Sequence, residues 1–95
     1  MARGGVEYIT PKYRVLVEAL GKPGKGDESK TMAQWDVNTP HGWVEVYDFK
    51  DPAESPEDVE TWHVQGGSEE ALDYVYMAIK DAATRLGEAP GLGES

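Results

Sequence analysis

The sequence predicts a small α+β domain, in which a four-stranded antiparallel sheet is followed by one C-terminal helix (ββββα). Apolar and polar residues alternate in four short segments, Gly- and Pro-rich stretches separate these segments, and a long helical apolar stripe occurs near the C-terminus. The 95 residues support one modest core, because a chain of this length hides only roughly 60–65% of its unfolded surface.

The predicted strands are residues 12–20, 31–38, 43–49 and 60–65. Residues 43–49 (WVEVYDF) give the strongest strand signal, since bulky apolar residues occupy both faces of the segment. A compact turn over residues 39–42 predicts a hairpin between the second and third strands, because Pro40 presets its φ angle and Gly42 tolerates positive φ.

The C-terminal helix is predicted to begin after Ser68, whose hydroxyl can accept from an unpaired amide of the first turn, and to end at Gly87. At 100° per residue its apolar residues form one stripe: Leu72, Val75, Tyr76, Ile79, Ala82, Ala83 and Leu86. We therefore expect one domain over residues 1–88 and a flexible tail over residues 89–95.

One helix covers only one face of a sheet, yet the third strand is apolar on both faces. Three alternatives for the second face remain open. Partial cover could come from the N-terminal segment (Val6, Tyr8, Ile9) with the side chains of Arg14 and Lys50, or complete cover from a second copy in a homodimer, or from a target protein. Tyr74 and Met77 also fall on the outer side of the C-terminal helix, and both residue types are enriched at interfaces.

Charge divides the chain into two unequal parts. The net charge is −9; residues 1–30 hold six basic and four acidic residues, whereas residues 31–95 hold three basic and fourteen acidic residues. An acidic field raises the cost of approaching phosphates, so double-stranded DNA is not an expected ligand. For the same reason Trp35, Trp43 and Trp62 are interpreted as core residues rather than as stacking platforms for bases.

No motif in the sequence points to catalysis or to a cofactor. The absence of cysteine excludes disulfides and thiol chemistry. The glycine loop at residues 21–26 lacks the Lys and the Ser or Thr of a phosphate-binding loop, His41 and His63 lack metal-ligand spacing, and no serine lies in a nucleophile motif. We therefore expect neither an enzyme nor a metal site. No apolar run has the length of a signal peptide or a membrane span, which favours a cytoplasmic protein without a membrane partner.

The leading hypothesis is a protein-binding or inhibitor module that meets a basic partner. In size and charge the chain resembles the small acidic inhibitors of bacteria and phages, such as immunity, anti-restriction and anti-CRISPR proteins, although no specific motif supports this likeness. The predicted partner-binding residues are Asp48, Asp51, Glu54, Glu57, Asp58, Glu60, Tyr74 and Met77. A solvated, solubilising loop is the simpler interpretation of the acidic run.

The alternative hypothesis is a homo-oligomeric module that binds a small anionic metabolite or nucleotide near the basic N-terminal third. Its predicted anion-binding residues are Lys12, Arg14, Lys22, Lys25 and Lys30.

Overall fold

A computed structural model describes residues 7–24, 32–48 and 54–92. Its elements are β1 (Glu7–Ile9), α1 (Tyr13–Leu20), β2 (Gln34–Thr39), β3 (Gly42–Tyr47), a 3-10 turn (Pro56–Asp58), β4 (Trp62–Gly66) and α2 (Glu69–Leu86). The strands form one antiparallel sheet in the order β1-β4-β3-β2. The predicted α+β class, with four antiparallel strands and a C-terminal helix, is confirmed, and α1 is an additional helix.

The prediction of a strand over residues 12–20 is wrong, because this segment forms α1. Within α1 the exposed charged residues, Arg14 and Glu18, are four residues apart, and this spacing fits one face of a helix as well as one face of a strand. The flanking residues favour the helix: Pro11 precedes it, and Gly21 ends it with a positive φ of 90°.

The fourth strand of the sheet is β1, which pairs with β4. Ile9 of β1 is buried in the core, whereas Tyr8 points to the opposite face and is 61% exposed. The described part of the N-terminal segment therefore extends the sheet at its edge instead of covering its second face. Val6 and Lys50 lie outside the described residues, and Arg14 lies on α1.

The other three predicted strands are confirmed, with ends shifted by one to three residues. The hairpin of β2 and β3 is also confirmed. At its turn the Thr39 hydroxyl donates to the Gly42 carbonyl oxygen at 2.7 Å and accepts from the His41 amide at 3.0 Å.

Helix α2 has the predicted ends. The Ser68 hydroxyl accepts from the Ala71 amide at 3.1 Å, and Gly87 adopts the left-handed conformation with a φ of 69°. Two residues of the predicted tail, Gly91 and Leu92, contact the domain: the Thr10 amide donates to the Gly91 carbonyl oxygen at 2.7 Å, and Leu92 packs against the core. Residues 93–95 lie outside the described part of the chain.

Both helices pack on the same face of the sheet. That face contributes Ile9, Trp35, Val44, Val46, Trp62 and Val64 to the core, α1 contributes Val15 and Leu16, and α2 contributes Ala71, Leu72, Val75, Ile79, Ala82 and Ala83. The indole of Trp62 donates to the Pro11 carbonyl oxygen at 3.1 Å, and the indole of Trp35 donates to the Gly21 carbonyl oxygen at 2.7 Å. Two core tryptophans thus anchor the two ends of α1. Within the described residues, no helix has the length and apolar character that crossing a bilayer requires.

Candidate binding surfaces

The predicted acidic patch is divided by the structure. Glu54, Glu57, Asp58 and Glu60 are exposed in and around the 3-10 turn, which packs near α1. Asp51 lies outside the described residues. The shallow depression at this turn is lined by Thr10, Pro11, Lys12, Glu57, Asp58, Val59, Glu60 and Thr61. None of these described lining residues is aromatic, so they offer no aromatic anchor for a partner.

Asp48 does not belong to this surface, which corrects its assignment as a partner-binding residue. Its side chain is buried, with 1% of the residue exposed, and one carboxylate oxygen accepts from the amides of Met32 at 2.8 Å and Ala33 at 3.0 Å. The carboxylate holds the start of β2 against the end of β3, so its role is structural.

The predicted basic cluster does not converge on an anion site within the described residues. Both Lys12 and Arg14 contact the carboxylate of Glu88, and Lys12 also borders the acidic depression at the 3-10 turn. Lys22 is exposed just after α1, whereas Lys25 and Lys30 lie outside the described residues. These contacts with acids weigh against an anion pocket built on Lys12 and Arg14.

The outer surface of α2 carries the two predicted apolar anchors, Tyr74 and Met77, which are 48% and 66% exposed. Because they are three residues apart, they are neighbours on the helix surface. The ring of His41, in the β2–β3 turn, lies 6.4 Å from the Tyr74 ring. The anchors and this turn line one shallow surface depression, whose other lining residues are Glu70, Asp73, Ala78, Lys80, Asp81 and Thr84. We call this the α2 surface.

The α2 surface is more acidic than basic, with three carboxylates and one lysine. Asp81 also accepts from the Arg85 guanidinium at 2.8 Å, while Arg85 reaches Glu18 on α1 at 3.0 Å. The charge of Asp81 is therefore partly compensated. The carboxylates of Glu70 and Asp73 line the same depression as the exposed anchors.

A second surface is the face of the sheet opposite the helices, for which the sequence leaves three possible covers open. We call it the open face, and its described residues are Tyr8, Gln34, Asp36, Asn38, Trp43, Glu45, Tyr47, His63 and Gln65. Three rings form a row across β1, β4 and β3: His63 lies 5.0 Å from Tyr8 and 5.3 Å from Tyr47, between ring centroids. Trp43, 48% exposed, lies further along β3.

The tryptophans thus differ in their surroundings. Trp35 and Trp62 are core residues, as predicted, whereas Trp43 is not, because its position in β3 places it on the open face. The alternation of Trp43 and Tyr47 with Val44 and Val46 is the sequence signal for this face.

The environment of Tyr47 gives a pH-dependent prediction. Burial raises the pKa of Tyr47 above its ordinary value of 10.0, and the negative charge of Glu45 and the nearby Tyr8 raise it further. The folded state therefore keeps this proton to higher pH than the unfolded state does. The stabilisation from this group is fully present below pH 10.0 and is lost as the pH rises through the folded-state pKa.

We expect ultraviolet absorbance titration to show a tyrosine that ionises above its ordinary pKa, and Tyr47→Phe to remove that phase. Glu45→Gln should move the phase to lower pH, whereas Glu57→Gln, which removes a charge at the 3-10 turn, should leave it in place. A phase that does not respond to Glu45→Gln would contradict the described neighbourhood of Tyr47.

No group of three or more metal-ligating side chains occurs within residues 7–24, 32–48 and 54–92. The two histidines lie on different surfaces, His41 beside Tyr74 and His63 between two tyrosines of the open face.

Comparison with known proteins finds no match of this chain to a family model, to a curated protein or to a solved structure.

Proposed function

We propose that this protein is a non-enzymatic binding module whose α2 surface docks onto a Lys- and Arg-rich surface of a partner protein. The observation that carries the proposal is the pair of exposed anchors, Tyr74 and Met77, among the carboxylates of Glu70 and Asp73. The length and net charge of the chain also resemble those of small acidic inhibitors, which occlude basic surfaces.

Each part of the α2 surface has a separate task in this proposal. Tyr and Met supply apolar contact area, and Tyr loses little conformational entropy on binding because its rigid ring is attached through only about two rotatable torsions. The carboxylates around them add complementarity to a basic surface, which increases the association rate and selects against acidic partners. The 3-10 turn offers charge of the same sign, but no aromatic side chain is exposed among its described neighbours, so the α2 surface is the better candidate.

Site-specific photo-crosslinking tests this function. A photoreactive amino acid at position 77 is expected to capture a basic protein from a cell extract at low ionic strength, and the yield should fall at high ionic strength. The same group at Lys22, an exposed position outside the α2 surface, is the control. No adduct from position 77, or equal adducts from both positions, would argue against docking at α2.

The double variant Tyr74→Ala, Met77→Ala should weaken binding of the captured partner by about 30-fold or more, because interface hot spots cost about 2 kcal/mol or more when truncated. The fold should be retained, since both side chains are largely exposed. Titration calorimetry with the purified partner measures the affinity. Tyr8→Ala, which removes an exposed tyrosine on the open face, is the matched control and should bind normally.

A further inference from the structure

The open face places two carboxylates opposite each other. Asp36 of β2 is in direct register with Glu45 of β3. Gln34 exchanges both of its backbone hydrogen bonds with Gly24, at 2.8 and 3.0 Å, on the outer side of β2. The direction of the backbone N–H and C=O groups alternates from one residue of a strand to the next. Asp36 is two residues from Gln34, so its backbone groups also point away from β3. Asp36 and Glu45 are therefore a non-hydrogen-bonded pair, the type in which Cα atoms are about 4.5 Å apart and side chains are closest.

Like charges at such a position are unfavourable for the free protein. The side chain of Gln34 donates to an Asp36 carboxylate oxygen at 2.9 Å, which orients this carboxylate without neutralising it. None of the described residues of the open face is a lysine or an arginine. The described part of this face thus combines two negative charges with the aromatic side chains of Tyr47, His63 and Trp43.

We propose that the open face binds arginine side chains of an extended segment of a protein. A guanidinium group is planar, so it can stack on the exposed rings while its N–H groups donate to the carboxylates of Asp36 and Glu45. A lysine ammonium would satisfy the charge but would lose the planar stacking and the two parallel hydrogen bonds. The inference goes beyond the proposed function, because this face lies on the other side of the sheet from α2 and its ligand does not depend on the α2 surface.

Charge also favours an arginine-containing segment over two other possible ligands of the open face. A second copy that stacked the same face against the first would bring two Asp36–Glu45 pairs together without a cation from the described residues of that face. A single-stranded nucleic acid could stack on the rings, but its phosphates would approach the carboxylates, whereas aromatic platforms for bases work within positively charged grooves.

Binding of two short synthetic peptides, one alternating Arg with Gly and one alternating Lys with Gly, tests the proposal. Amide chemical shifts recorded by NMR should change mainly in β2, β3 and β4, and the Arg peptide should bind more tightly. The double variant Asp36→Asn, Glu45→Gln should lower the affinity for the Arg peptide by about tenfold or more, because hydrogen bonds to charged groups are stronger than those between neutral groups. The control variant Glu57→Gln, Asp58→Asn removes the same charge at the 3-10 turn and should stay within about twofold of the wild type, because exposed, separated charges are largely screened.

A second readout does not need a ligand. Glu45→Gln removes one of the two like charges of this cross-strand pair, so it should raise the urea midpoint of the free protein while weakening its binding of the Arg peptide. The proposal is overturned if the open-face double variant and the 3-10-turn control variant lose the same affinity for the Arg peptide. It is also overturned if no Arg peptide binds, or if the chemical-shift changes map to α2. Tighter binding of an oligonucleotide than of the Arg peptide, or a doubled molar mass with the open face protected, would also overturn it. Tyr74→Ala, Met77→Ala should leave peptide binding intact, so failure here and failure of the proposed function are distinguishable.

Discussion

Replacing Trp62 by alanine is expected to remove about 3–5 kcal/mol from the free energy of unfolding, a large share of the total stability. Trp62 is fully buried, its ring lies 5.4 Å from Trp35 between centroids, and its indole donates to the Pro11 carbonyl oxygen. Truncating a buried aromatic residue of this size costs about 3–5 kcal/mol, and a chain of this length has a total stability of about 5–14 kcal/mol. Urea denaturation followed by far-ultraviolet circular dichroism measures the loss.

Two further variants make this prediction specific. Trp62→Phe keeps an aromatic ring but removes the indole donor, so it should cost less than Trp62→Ala and should mainly loosen the start of α1. Trp43→Ala removes a tryptophan that is 48% exposed and should cost about 1 kcal/mol or less. Equal losses from Trp43→Ala and Trp62→Ala would contradict the assignment of the helix-covered face as the core.

The second large effect is expected at Asp48. Asp48→Ala removes the acceptor of the Met32 and Ala33 amides in a buried position. A buried donor left without a partner costs about 1–3 kcal/mol. Because the Ala33 amide is buried and the Met32 amide is only partly buried, the combined loss should be in the lower part of the doubled range, about 2–4 kcal/mol. Urea denaturation again provides the measurement, and hydrogen exchange should be faster at residues 32 and 33.

Asp48→Asn retains one carbonyl acceptor and should lose less stability than Asp48→Ala. Glu57→Ala removes an exposed acid of the same sequence run and should change the free energy of unfolding by about 0.5 kcal/mol or less. If Glu57→Ala were as costly as Asp48→Ala, the separation of Asp48 from the surface acids would be incorrect.

Local patterns predicted the elements that have unambiguous signals. The stripe on α2, its cap residue Ser68 and the left-handed Gly87 follow from spacing and backbone preference alone. Residues 12–20 did not have such a signal, because a short run with apolar residues on every side satisfies both periods. The flanking residues Pro11 and Gly21 are the features that favour a helix over a strand here.

The candidate surfaces were predicted only in part, because distant pairing determines them. Tyr74 and Met77 could be located from the angle per residue along a single helix. The pairing of Asp36 with Glu45 depends on the register of β2 against β3, and the burial of Asp48 accompanies its hydrogen bonds to Met32 and Ala33, just before β2. Neither is encoded in the spacing of acids along the chain.

The salt dependence of partner affinity tests the central claim, that the carboxylates of the α2 surface meet cations of a partner. Affinity of the captured partner would be measured over a range of ionic strength for the wild type and for Glu70→Gln, Asp73→Asn, Asp81→Asn. We predict that wild-type affinity falls steeply as salt is added and that the triple variant binds more weakly, with a shallower dependence. Affinity that is independent of salt, or equal for the two proteins at low ionic strength, would contradict the claim.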